Sequence, residues 1–127
     1  MTTSQKEYIQ KIGDFARTRI RVRPDLGANQ AFPKGIWQSM GEKGLLDPLA
    51  TGFDDLFPCQ TIACAARQMV ENGGNLGMAL SWMIHHLVAR YLVFPHLAQK
   101  ADALFPELKG QVQCGKTTIC LAVSEPK

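Results

Sequence analysis

Several signatures of a self-contained active site are missing from this sequence. It has no C-x-x-C pair, no phosphate loop following a strand, no internal repeat and no low-complexity stretch. Cys59, Cys64, Cys114 and Cys120 lack the density of a secreted disulfide scaffold, so reduced thiols in a cytoplasmic protein are expected. None of them has a histidine at a recognisable catalytic spacing, which leaves nucleophilic thiol catalysis without support. His85 and His86 are adjacent; on a helix they point about 100° apart and cannot share a metal as an i, i+4 pair does. Gly73-Gly74-Asn75-Leu76-Gly77 is not preceded by a strand and reads as a turn between helices, not as a dinucleotide fingerprint. The only adjacent carboxylates, Asp54-Asp55, fall in a turn-rich stretch unsuited to an acid/base dyad.

Excess charge is also scarce. A net charge of +3 is too small to argue for nucleic acid, and Met1 to Gln10 is too polar for a secretory signal. What the chain does have is 127 residues, 46% of them hydrophobic, enough for one domain with a real core. Leu76 to Phe94 is mostly apolar and about as long as the ~20 residues a bilayer requires, yet His85, His86 and Arg90 interrupt it. No membrane association is expected; a helix buried in a bundle is apolar nearly all round for the same reason.

Helical spacing dominates the chain. Ser4 to Val22 carries Tyr8, Ile12, Phe15 and Val22 on one face, with Ser4 as N-cap and Pro24 beyond the end. Up to Arg23 this stretch has six cations against Glu7 and Asp14, a local balance of +4 that leaves −1 for the remainder. A solvated helix face accounts for this clustering, and an anion or partner surface is the alternative. A second helix opens at Phe32-Pro33 with Ile36, Trp37 and Met40, and Gly41 and Gly44 end it. A third, Cys59 to Asn72, places Ile62, Ala66, Met69 and Val70 in a stripe. The fourth starts at or just after Asn75 and is limited by Pro95, and a short fifth spans Leu97 to Leu104 before Pro106 breaks it.

After Gly115 the pattern changes. Ile119, Leu121 and Val123 alternate with Thr118, Cys120 and Ala122, the period of a strand, and no second strand is available for pairing. The expected fold is all-α, an up-and-down bundle of five to six helices with one terminal β-strand. A helical domain over 1–115, cut where a β domain starts at 116–127, explains the solitary strand.

The ending Leu121-Ala122-Val123-Ser124-Glu125-Pro126 resembles the acyl-CoA dehydrogenase family, where a strand of this kind opens the flavin-binding middle domain. Phe15 to Arg21 is similar to that family's first-helix pattern. Phe32-Pro33-x-x-Ile36-Trp37-x-x-Met40-Gly41-x-x-Gly44-Leu45-Leu46 is similar to its second, and Leu104-Phe105-Pro106-x-Leu108 with Gly115-Lys116 to the stretch before the strand. Departures are the segment Ala50 to Asp54 in place of a glycine-rich loop, a longer linker from Pro106 to Gly115, Leu121 for an aromatic and Lys127 for glycine.

The resemblance implies an oxidoreductase of fatty acid metabolism that uses FAD to remove two hydrogens from an acyl-CoA thioester, with a homodimeric or homotetrameric parent. A related flavin oxidase or monooxygenase of the same fold is the variant reading. By position, Leu121, Val123 and Ser124 match flavin contacts, and Leu80, Ser81, Trp82, Ile84 and His85 match the helix lining the acyl pocket. The catalytic carboxylate falls beyond Lys127, so no catalytic residue is expected here and the isolated chain should be inactive. From a different class, a non-enzymatic helical module pairing its terminal strand with a partner or with itself also fits.

Overall fold

Apolar residues at three- and four-residue spacing wind the chain into helices, and each helix buries that stripe. A computed structural model describes residues 3–23, 33–47, 58–100 and 103–119. The first helix, α1 (Thr3–Phe15), buries Tyr8, Ile12 and Phe15 and continues into a π-helical turn, Ala16–Ile20, closed by the Arg21 N–H on the Ala16 carbonyl at 2.9 Å. That wider turn shifts the register. Ala16 and Ile20 therefore carry the buried stripe onward, and Val22, expected on it, is 64% exposed. On the same helix Gln5 is buried and donates to the Thr61 hydroxyl at 2.7 Å, joining α1 to α3 (Pro58–Gly73).

Pro33 precedes α2 (Lys34–Glu42), which buries Ile36, Trp37 and Met40. The chain then turns, with the Leu45 N–H donating to the Met40 carbonyl at 2.9 Å, and drives Leu45 and Leu46 into the core at 1% and 0% exposure. In α3 the buried residues are Ile62, Ala65 and Met69; Ala66 is half-buried and Val70 faces outward. Helix α4 (Leu76–Val88) starts just after Asn75, as expected, and the Asn75 side chain caps it, accepting the Met78 N–H at 3.0 Å. Helix α3 packs between α1 and α4.

Two prolines behave differently from the expectation. Pro95 does not stop the fourth helix: α4 runs through a second π-helical turn, Ala89–Val93, into α5 (Phe94–Gln99), whose first turn contains Pro95. Pro106 likewise lies in the first turn of α6 (Phe105–Gln113), in a stretch expected to be a linker. His96 is on α5. A second small core forms here from Ala89, Phe94 and Val112, with Phe105, Leu108 and Ile119 packed against it.

The described residues are mostly helical and contain no strand. The terminal strand is only partly within them: Thr117 to Ile119 are irregular, and 120–127, with most of the expected β-domain start, lie outside. Asp54-Asp55 also lie outside. No helix among the described residues is long and apolar enough to cross a membrane. The basic face of α1 is exposed; Arg17 pairs with Asp14 at 3.0 Å and Arg19 donates to Ser39 at 3.2 Å.

Among the described glycines, Gly41 is the one most tightly covered by another segment. A Cβ there would sit 2.3 Å from the Cys114 carbonyl carbon, so α2 can touch the end of α6 only because this residue has no side chain. Gly35, on the same helix, has open space around it. Gly41→Ala should therefore lower stability by about 1–3 kcal/mol in urea unfolding, while Gly35→Ala leaves it unchanged or raises it by up to about 1 kcal/mol.

Candidate functional site

The residues singled out on α4 separate by helical geometry. One side turns inward: Met78, Ala79, Trp82, His85 and His86 are buried. The other turns outward: Leu80 is 43% and Ile84 39% exposed, with Ser81 intermediate between the two sides. Of the five residues expected along an acyl pocket, Leu80 and Ile84 are thus accessible, while Trp82 and His85 have no exposed surface.

On the outward side Ile84, Leu87, Val88, Tyr91 and Leu92 line an open apolar groove of about 470 Å3. The π-helical turn shapes its far end by bringing Tyr91 and Leu92 onto that side. Cys59 Sγ lies 3.2 Å from the Tyr91 hydroxyl, tying the start of α3 to the rim. Among the described residues no carboxylate, histidine or cysteine lines the groove, and the Tyr91 hydroxyl is its one ionisable group. It can hold an apolar chain.

On the inward side, polar groups converge on two peptide carbonyls. The Leu45 carbonyl accepts from the Tyr8 hydroxyl at 3.0 Å, Trp82 Nε1 at 2.9 Å and His86 Nε2 at 3.0 Å. His85 Nε2 lies 3.2 Å from the Leu46 carbonyl, and His85 Nδ1 accepts the Ile119 N–H at 3.1 Å. Because a carbonyl only accepts and an N–H only donates, both imidazoles carry a proton on Nε2, and His85, whose Nδ1 accepts, is neutral. The Trp82 and His86 rings are 4.3 Å apart with their planes tilted by 47°, and Trp37 meets His85 edge-on at 5.2 Å.

Burial accordingly opposes protonation. It holds His85 down to about 4 against the opposing hydrogen bond to Leu46, and holds His86 down to about 3, assisted by His85 and Arg90. Burial, with the nearby Asp47 charge, raises the Tyr8 hydroxyl well above its usual value. These shifts belong to a closed core, since the rings that carry them are sealed from solvent.

Comparison with family models, with characterised proteins and with solved structures finds no match for this chain. The site must be read from its own geometry. The residues expected at a flavin, Leu121, Val123 and Ser124, lie outside the described residues. Cys59, Cys64 and Cys114 are free thiols, and no group of metal-binding side chains forms among the described residues. Sequence reasoning missed the groove residues Leu87, Val88, Tyr91 and Leu92, because a helix apolar on all sides does not announce which side is covered. It also missed the Leu45 and Leu46 carbonyls, since a backbone acceptor has no residue signature.

The histidines give a pH test. Both are neutral in the folded chain, whereas the unfolded chain binds their protons below the ordinary value of 6.5. Stability is therefore complete above pH 6.5 and is lost as pH falls towards 4, on the order of 5 kcal/mol for the pair. Thermal unfolding followed across that range should show a steadily falling midpoint. In His86→Phe, which leaves Tyr8 and Trp82 on the Leu45 carbonyl, the fall should be about half as steep.

Proposed function

We propose that this chain is the N-terminal helical domain of an acyl-CoA dehydrogenase-like flavoenzyme, and that the outward side of α4 contacts the acyl chain of the substrate. The observation that carries this reading is the apolar groove at Ile84, Leu87, Val88, Tyr91 and Leu92, next to Leu80 on the same helix. An exposed apolar strip of this length is unusual on a monomer and marks a surface that something covers. Its uncharged lining suits a methylene chain, for which burial is worth roughly 0.8 kcal/mol per group.

The order of motifs along the chain supports the same reading. The pattern from Phe32 to Leu46 covers α2 and the turn that inserts Leu45 and Leu46, and Ser124-Glu125-Pro126 follows in sequence. When bound in the complete enzyme, FAD would supply the oxidant for removal of the α and β hydrogens. The work of this chain is to bind and exclude water: Leu80 and Ile84 cover the acyl chain, Trp82 and His85 brace the helix from behind, and the base comes from another part of the enzyme. Ser81, between the two sides, is the one polar group of the expected set that α4 leaves partly accessible.

Two experiments test the reading. Reading the coding DNA past the Lys127 codon should find a continuing frame that encodes a β domain and a further helical domain; an immediate stop codon would instead favour the interaction module. The full-length protein should purify with FAD and reduce an artificial acceptor with acyl-CoA substrates. In it, Ile84→Asp should raise KM for a long acyl chain by at least about tenfold, the equivalent of roughly two buried methylenes, with a smaller effect on a short one. A flavin-free full-length protein, or an equal effect on both chain lengths, argues against the proposal.

A further inference from the structure

A second cavity, of about 250 Å3, lies where the start of α2 faces the segment after α6, and Lys34, Gln38, Gly115, Lys116 and Thr118 line it. We propose that it is a binding site for a phosphate group. Two like charges at one cavity repel unless an anion joins them, and among the described residues no acidic side chain lines this one. Neither lysine is in an ion pair with a carboxylate among the described residues. The Gln38 amide and the Thr118 hydroxyl add neutral donors. A phosphate group offers acceptors for all four, and the volume holds it with several waters, at about 30 Å3 each.

The side chains of Lys34, Gln38, Lys116 and Thr118 are exposed, but the backbone that carries the last two is fixed in place. Gly115 has φ +82°, and a Cβ on it would lie 2.9 Å from the Trp37 carbonyl oxygen, so the chain crosses α2 in a conformation suited to glycine. The Lys116 and Thr117 N–H groups both donate to the Gln111 carbonyl, at 3.0 and 3.2 Å, and the Thr117 hydroxyl donates to the Gln111 side chain at 2.8 Å. Those bonds hold the backbone of Lys116 and Thr118 opposite Lys34 before any ligand arrives. The contrast is the 350 Å3 cavity bordered by Lys11 and Lys43, which contains its own anion, Asp14, already bonded to Arg17 and Gln10.

The proposal is independent of the flavoenzyme reading. It is tested by titrating the chain with inorganic phosphate and, separately, with adenosine monophosphate at low ionic strength, following backbone amide resonances. Both ligands should move the resonances of Gln38 and of 115–118 and saturate. Lys34→Gln and Lys116→Gln should each weaken binding about three- to tenfold, the double variant should abolish it, and Lys43→Gln should leave it unchanged. Circular dichroism of each variant verifies folding. Equal affinity for the two ligands identifies free phosphate as sufficient, and tighter binding of the nucleotide identifies a phosphorylated small molecule; either supports the site. Shifts confined to the Lys11 and Lys43 cavity, no saturable shift at all, or wild-type binding by the folded double variant would overturn it.

Discussion

Two peptide carbonyls hold the helices in register. Leu45 and Leu46 follow α2, where chain direction changes and their carbonyls lose any helical partner; burying them unpaired would cost several kcal/mol. Tyr8 from α1 and Trp82 and His86 from α4 meet at the first, and His85 from α4 meets the second. A carbonyl oxygen has two lone pairs, so three donors on Leu45 are more than it needs. His86 shares the Leu45 carbonyl with Tyr8 and Trp82, His85 donates to the Leu46 carbonyl, and burial opposes protonation of both.

The same arrangement sets the direction of α4. Once Trp82, His85 and His86 are committed to the carbonyls, helical geometry turns Leu80, Ile84 and Leu87 to the far side. The outward groove is thus a by-product of the inward bonds. The π-helical turn at Ala89–Val93 then adds a residue to the turn, which lets Tyr91 and Leu92 extend the groove while Ala89 and Phe94 return to the second core.

Much of this was legible in the residues, and the failures have physical causes. The stripe of α2, that of α1 as far as Phe15, and the start of the fourth helix beside Asn75 follow from side-chain periodicity. Pro95 and Pro106 misled because proline stops a helix from within but begins one from its first turn, and sequence alone does not say which turn it occupies. Val22 fell off its expected stripe because a π-helical turn changes the angle per residue without any residue type that demands it. On α4, apolar residues on both sides concealed which half was solvent-facing; the polar atoms of Trp82, His85 and His86, which need partners when buried, were the usable signal.

The segment from Gly115 to Ile119 joins these regions. Gly115 rests on the Trp37 carbonyl of α2, Lys116 and Thr118 border the lysine cavity, and the Ile119 N–H ends on His85 of α4. Five consecutive residues thus touch both the proposed phosphate site and the helix that carries the groove. The proposed phosphate site and the Ile119–His85 bond are thus on adjacent residues of one short segment. On the proposed flavoenzyme reading this same segment leads towards the flavin contacts at Leu121, Val123 and Ser124, so its tether to α4 sets where the flavin domain begins relative to the helix that meets the acyl chain.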